Sequence, residues 1–217
     1  MTDFLPGTPD PIPLPYPEYI NHFARDCDVL LWEPTSWYGK IIARSTDGPF
    51  SHATACLRWN GEWMSAGFEE GKGAVVEPLS SVVDRYPGAV SVFRPILLEP
   101  GDLSPSDGPW DPTQRLAAIK HDMISGLVGK YQWRNIRLIV LTHLPLTKLF
   151  FPNWVKKRIE KATHGTAGGI CSQWVARAFR GNRVQFLRKP VAVTTPNDLA
   201  LSLKLNYLGT LFSEEGK

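Results

Sequence analysis

The octapeptide GGICSQWV, residues 168–175, places Cys171 two residues after a pair of glycines. The apolar residues around it recur at helical spacing: Ile170, Trp174, Val175, Ala178 and Phe179. This pattern predicts an amphipathic helix that begins at Cys171. A helix N-terminus stabilises a thiolate, and its backbone N–H groups can hold an oxyanion. Cys171 is therefore the candidate nucleophile, although a cysteine in this setting can also be a small packing residue.

The other two cysteines lie in settings that do not favour a thiolate. Cys27 lies between Asp26 and Asp28, and Cys56 belongs to an apolar strand pattern. Both are predicted to be packing residues. Three cysteines without a CxxC pair favour neither a disulfide framework nor a structural zinc site. The sequence predicts no metal and no other cofactor.

A thiolate nucleophile needs a base, and histidine is the usual one. The chain has five histidines: His22, His52, His121, His143 and His164. His52 opens a predicted strand among small and apolar residues, and His164, shortly before Cys171, is the reserve candidate. A single histidine at a strand start is more typical of a packed core or edge residue, so its own setting does not identify a base.

Short strands followed by helices predict an α+β fold. The predicted strands are Asp28–Glu33, Phe50–Trp59, Glu62–Phe68, Gly73–Glu77, Ala89–Arg94 and Asn206–Phe212, with a hairpin turn at Asn60-Gly61. The predicted helices are Ser80–Arg85, a helix from Asp111-Pro112 to Gly129, the helix at Cys171, and one at Thr195–Asp198. We expect an antiparallel sheet of about five to six strands packed against helices.

The length of 217 residues fits one domain, preceded by a proline-rich arm. Residues 1–25 form this arm, which is expected to be extended rather than part of a sheet. Residues 26–217 form the main domain, and residues 134–167 form an apolar helical insertion before the predicted nucleophile.

Charge and hydropathy exclude several classes of protein. The net charge is +3 without a dense stripe of Lys and Arg, which argues against a nucleic-acid partner. The N-terminus has neither the basic start nor the apolar run of a secretory signal, and no apolar stretch is long enough to cross a bilayer. The prediction is a protein that is not transmembrane, and that is cytoplasmic or delivered without a signal peptide, for example in a phage particle.

Several motifs together resemble the NlpC-type papain-like peptidases. The family's GxxYxWGG and DCSxxV segments resemble GKYQW, residues 129–133, and GGICSQWV in this chain. The family's histidine hairpin resembles SHA, residues 51–53, followed by NG at 60–61 and SA at 65–66. Here the histidine segment precedes the cysteine segment, as in the permuted branch of YiiX-like and lecithin:retinol acyltransferase-like proteins. Asp28–Leu31 and Thr195–Leu199 resemble two further motifs of that branch.

The resemblance implies a papain-like permuted fold with Cys171 as nucleophile and His52 as base. It places the residue that orients the imidazole at Ser65, where the family usually has His, Asn, Gln or Glu. Glu77 on the next strand is the substitute candidate, and Tyr131 matches a family tyrosine that supports the oxyanion. Ile170 replaces an aspartate that often precedes the cysteine.

The leading hypothesis is a cysteine hydrolase, an amidase or endopeptidase, and the resemblance makes cell-wall peptide its substrate class. One alternative keeps the chemistry on a lipid acyl ester, thioester or N-acyl amide, with peripheral membrane contact through residues 136–158. Another is a binding domain that kept the fold without catalysis. The oligomeric state and the scissile bond stay open.

Overall fold

The computed structural model describes residues 12–69, 71–96, 111–127, 171–187 and 190–212. They form a mixed α+β fold, as predicted. The strands are β1 Pro13–Pro15, β2 Asp28–Trp32, β3 His52–Trp59, β4 Glu62–Glu69, β5 Gly73–Pro78, β6 Val90–Pro95 and β7 Leu205–Phe212. The helices are α1 Tyr16–Glu18, α2 Trp37–Ser45, α3 Leu79–Arg85, α4 Pro112–Ser125, α5 Cys171–Gly181 and α6 Pro196–Ala200. None of these described helices has the length and apolar character needed to cross a bilayer.

The strands form one sheet in the order β1-β7-β6-β2-β3-β4-β5, with one strand more than the five to six expected. The additional strand is β1, in the proline-rich arm, which pairs parallel with β7. Prolines lack the N–H that a central strand must donate, but an edge strand has a neighbour on one side only. Leu14, between Pro13 and Pro15, is buried opposite Leu211. The expectation of an arm outside the sheet is therefore wrong for these residues.

The two faces of the sheet bury separate apolar clusters because side chains alternate along each strand. On β2, Val29 and Leu31 point into a core that includes residues of α4 and α5. Leu30 and Trp32 point into a second core with residues of α3 and the N-terminal segment. A strand buried on both faces accounts for the continuous apolar run in the sequence.

Helix α2 is a feature that the sequence analysis missed. Ser36 is its N-cap, and the Ser36 hydroxyl accepts a hydrogen bond from Gly39 N at 3.0 Å. A Cβ atom at Gly39 would lie 2.9 Å from Cβ of Pro34, so the helix turns back closely on the preceding chain. A glycine inside a helix lowers its intrinsic propensity, and this one is required by a tertiary contact.

Small side chains on β3 allow α5 to pack against the sheet. Ala53 and Ala55 are fully buried and belong to the same core as Cys171 and Val175. Alanine leaves room for the close approach of a helix. The first residue of α5 therefore lies close to the beginning of β3.

A buried ion pair attaches the N-terminal segment to the sheet. Arg94 donates to both carboxylate oxygens of Asp28, at 2.9 and 2.8 Å, and Tyr19 donates to the same carboxylate at 2.8 Å. Arg94 also donates to the carbonyl of Phe23. Asp28 is completely buried, so its charge depends on these donors in place of water.

Replacing Arg94 by methionine should strongly destabilise the fold, because it leaves the Asp28 carboxylate buried without its cation. We expect Arg94→Met to lower the free energy of unfolding by about 3–5 kcal/mol, measured by urea denaturation. The matched control, Arg177→Met on the exposed side of α5, should change it by less than about 0.5 kcal/mol. Equal effects of the two substitutions would contradict this account of the ion pair.

Candidate active site

The described structure brings His52 and Cys171 together. His52 is the first residue of β3 and pairs with Trp32 of β2, while Cys171 is the first residue of α5. Each of these two side chains shifts the pKa of the other, through its charge and through hydrogen bonding. The backbone N–H groups of Ala53 and Ser172 also act to lower the pKa of the thiol. Groups from both the sheet and the helix thus contribute to the setting of the sulfur.

This environment favours a charged pair. Burial raises the pKa of the Cys171 thiol, but the charge and hydrogen bond of His52 and the two backbone N–H groups bring that pKa below its ordinary value. Burial lowers the pKa of His52, but the charge and hydrogen bond of Cys171, with the charge of Glu69, raise it above its ordinary value. A lowered thiol pKa and a raised imidazole pKa are both shifts in the direction of a thiolate–imidazolium pair.

The other two cysteines have the opposite electrostatic setting. Burial raises the pKa of Cys27 well above its ordinary value, and the carboxylates of Asp26 and Asp28 add to that effect. Burial and the Asp28 charge likewise raise the pKa of Cys56. Both thiols are therefore held neutral, which agrees with their predicted role in packing.

Asn197 of α6 fixes the backbone immediately before His52. The side-chain oxygen of Asn197 accepts from Phe50 N at 2.8 Å, and its amide nitrogen donates to Phe50 O at 2.9 Å. The same nitrogen donates to the Thr46 hydroxyl at 2.6 Å. Gly48 leaves space for this side chain, since a Cβ atom there would lie 2.3 Å from Asn197.

The beginning of α5 is joined to the same segment. The Ser172 hydroxyl donates to Thr194 O at 2.8 Å, and the next residue, Thr195, is the N-cap of α6. Thr195 and Asp198 form a capping box, as the sequence predicted for a helix start. The segment 194–197 thus contacts both helix α5, which begins at Cys171, and the chain before His52.

A cleft of about 350 Å³ opens beside His52. Its apolar wall contains Trp32, Pro34, Tyr38, Ile42, Val82 and Tyr86, and its polar residues include Ser51, Thr54, Ser65, Glu69, Lys72 and Arg85. Cys171 is 2% exposed and is not among the residues that line the cleft. The cleft therefore reaches the imidazole and not the sulfur in this structure.

The two predicted orienting residues have other partners. The Ser65 hydroxyl donates to the Thr54 hydroxyl at 3.0 Å, which also accepts from the Trp32 indole at 2.9 Å. Glu77 forms an ion pair with Arg85 and lies 3.9 Å from Lys72. Nε2 of His52 is buried and has no hydrogen-bond partner among the described residues. The orienting role of Ser65 or Glu77 therefore stays a prediction without a contact to support it.

Two further predictions, Tyr131 and the insertion 134–167, lie outside the described residues. The sequence analysis also missed the contributions of Asn197 and Glu69. Asn197 lies in the TPND segment, where a buried amide could be suspected from its place in a predicted first turn. Glu69 gave no signal of its own, since a charged residue at a strand end is usually a surface residue.

Removal of the Asn197 amide should weaken both the fold and the site, because the buried N–H and C=O of Phe50 lose their partners. We expect Asn197→Ala to cost about 2–3 kcal/mol of unfolding free energy in denaturant titrations. Alkylation of Cys171 at low pH should slow in parallel. Asn206→Ala, on the exposed side of β7, is the control and should cost less than about 0.5 kcal/mol. If Asn197→Ala changes neither the free energy of unfolding nor the alkylation rate of Cys171, then Asn197 does not fix this loop.

Comparisons with known proteins identify the fold. A solved structure of similar fold is the metalloprotein YiiX from Escherichia coli O157:H7, with a TM-score of 0.55 and 13% sequence identity, over 87% of this chain and 98% of that one. No family model and no curated protein matches the sequence. Within residues 12–69, 71–96, 111–127, 171–187 and 190–212, no group of three or more His, Cys, Asp or Glu could hold a metal ion. The chain has a YiiX-like α+β fold.

Proposed function

We propose that the protein is a cysteine hydrolase in which Cys171 is the nucleophile and His52 the general base. The observation that supports this proposal is the proximity of the imidazole on β3 and the thiol on α5, which lie close enough for each to shift the pKa of the other. The YiiX-like fold is consistent with a papain-like hydrolase. The raised thiol pKa of Cys27 and Cys56 makes Cys171 the chain's best nucleophile.

The chemistry on an amide would proceed in two steps. His52 takes the thiol proton, the thiolate attacks the carbonyl carbon, and the C–N bond breaks as the imidazolium returns the proton to the leaving amine. Water, deprotonated by the same imidazole, then attacks the thioester and releases a carboxylic acid and the free thiol. Backbone N–H groups near Cys171, including that of Ser172, are the candidate oxyanion donors, with Tyr131 as the side chain implied by the family resemblance.

The proposed substrate class is an amide of cell-wall peptide, which rests on the sequence resemblance alone. The corresponding assay measures new amino groups released from peptidoglycan-derived peptides. Cys171→Ala should abolish the release, and His52→Gln should reduce the rate by about 10²–10⁴-fold, the usual contribution of a general base.

The thiolate character of Cys171 can be measured without a substrate. At about pH 6 iodoacetamide should alkylate Cys171 in the folded protein while Cys27 and Cys56 stay unlabelled, since only the Cys171 thiol has a lowered pKa. His52→Gln removes the charge that lowers the pKa of Cys171. For each unit by which this pKa rises, the labelling rate of Cys171 at about pH 6 should fall roughly tenfold or more. Peptide mass spectrometry gives all three labelling rates in one sample.

Absence of labelling at Cys171 below about pH 8 would contradict the hydrolase proposal. It would favour the alternative of a binding domain that kept the fold without catalysis. The low exposure of Cys171, 2%, agrees with that alternative. Equal labelling of Cys171 in the wild type and in His52→Gln would contradict the role of His52 but not that of Cys171.

A second candidate substrate is a lipid acyl group, and helix α2 is the feature that favours it. Trp37 is 74% and Ile41 38% exposed, and Lys40 and Arg44 are exposed on the same helical face. An aromatic and an apolar residue that alternate with two basic ones along this face suit the surface of an anionic bilayer. The other side of α2 contributes Tyr38, Gly39 and Ile42 to the apolar part of the cleft.

If the exposed face of α2 binds a membrane, the double substitution Trp37→Ser and Ile41→Ser should lower binding to vesicles. Flotation with phosphatidylglycerol–phosphatidylcholine vesicles should show at least a roughly tenfold loss, because two apolar side chains no longer enter the interface. Trp59→Ser removes a tryptophan that is 40% exposed at the hairpin on β3, and it should bind like the wild type. Equal flotation of all three proteins, or none by the wild type, would contradict this second candidate.

A further inference from the structure

His52 lacks the neighbour that the family resemblance implies for it. Its Nε2 atom is buried without a hydrogen-bond partner among the described residues. Ser65, the matching position, directs its hydroxyl to Thr54, and Glu77 is paired with Arg85. The thiolate compensates the charge of the imidazolium until the sulfur attacks a substrate, and from then on the buried imidazolium needs another negative charge.

The strand register brings another carboxylate to that place. β3 and β4 are antiparallel, with Ala55 opposite Ala66. A Cβ atom at Gly67 would lie 2.8 Å from the Thr54 side chain, so the strands continue side by side beyond that pair. Continuing the register by three residues on each strand places Glu69 opposite His52. Side chains of directly opposite residues share one face of a sheet.

Both residues line the same cleft, which places them on one face independently of the register. Ala66 and Phe68 of β4 point into the core on the opposite face, so the alternation along the strand agrees. That core also contains Cys171, so the imidazole and the sulfur meet at the end of the sheet, where β3 and α5 begin. Glu69 is 32% exposed at its side chain, partly shielded from water. The negative charge of Glu69 also contributes to the raised pKa of His52, after the larger effects of burial and Cys171.

Lys72 competes with His52 for this carboxylate. Its ammonium lies 2.7 Å from Glu69 Oε2 and 3.9 Å from Glu77 Oε1. Among the residues that the structure describes, the ionisable groups around the imidazole are Cys171 from α5, Glu69 and Lys72 from the β4–β5 hairpin, and, further along the cleft, Arg85 of α3 with Glu77 of β5.

We propose that Glu69 is the positioning residue of His52, with a carboxylate shared between the imidazolium and Lys72, in place of Ser65, whose hydroxyl is bonded to Thr54. The effect of Glu69 on catalysis rests on the proposed function. The electrostatic coupling itself does not, since it can be measured in a protein that has no nucleophile.

The test uses the full chain with Cys171→Ala, so that His52 titrates without the thiol. The His52 ring C–H signal is assigned by its loss in His52→Gln, and its pKa is measured by NMR. Glu69→Gln should lower the pKa of His52 by about one unit, because a neighbouring negative charge is lost. Lys72→Met should raise it, because a positive charge is lost and Glu69 is released. Ser65→Ala should leave it unchanged.

Opposite shifts in Glu69→Gln and Lys72→Met would support the inference. An unchanged pKa in Glu69→Gln, shifts of the same sign in both variants, or an equal shift in Ser65→Ala would each overturn it. With Cys171 present, the alkaline limb of the pH–rate profile should move to lower pH in Glu69→Gln, since the imidazolium loses its proton earlier. Opposite NMR shifts in a protein that hydrolyses no amide would support the coupling and contradict the proposed function.

Discussion

The hydrogen bonds of Asn197 with the backbone of Phe50 are the constraint on which the candidate site depends. The N–H and C=O of Phe50 are turned away from the sheet ladders, and one buried amide side chain satisfies both. Ser172 joins α5 to Thr194, three residues before Asn197. A single short segment therefore fixes the chain before His52 and the beginning of helix α5 at Cys171, although these parts are far apart in sequence. Such contacts are costly to break because no water can replace them.

The three cysteines illustrate that position, and not residue type, sets the chemistry of a thiol. All three are buried, and burial alone would keep each of them protonated. At Cys171 the charge of His52 and two backbone N–H groups act against burial, whereas at Cys27 and Cys56 the Asp28 carboxylate adds to the effect of burial. That carboxylate also binds the Arg94 guanidinium. One buried carboxylate thus attaches the N-terminal segment and raises the pKa of two thiols.

The sequence predicted the elements whose signals are local. The strand from Glu62, the helix from Leu79 and the capping box at Thr195 were all expected within a few residues of where they lie. Helix α2 was missed because Gly39 weakens its local signal and is explained only by contact with Pro34. Strand β1 was missed because its prolines exclude a central position, while the edge of β7 accepts them. In both cases tertiary contacts outweighed local propensity.

The meeting of His52 and Cys171 followed from the order of two motifs, but the surroundings of the imidazole did not. A motif assigns the orienting residue by its distance along the chain, which led to Ser65. The charge that reaches an imidazole depends instead on which residues face it across a sheet, and side chains alternate with a period of two. Glu69 follows Ser65 by an even number of positions, so the two share a face. Because the Ser65 hydroxyl is bonded to Thr54, a carboxylate further along the same face can supply the charge without any change in the fold.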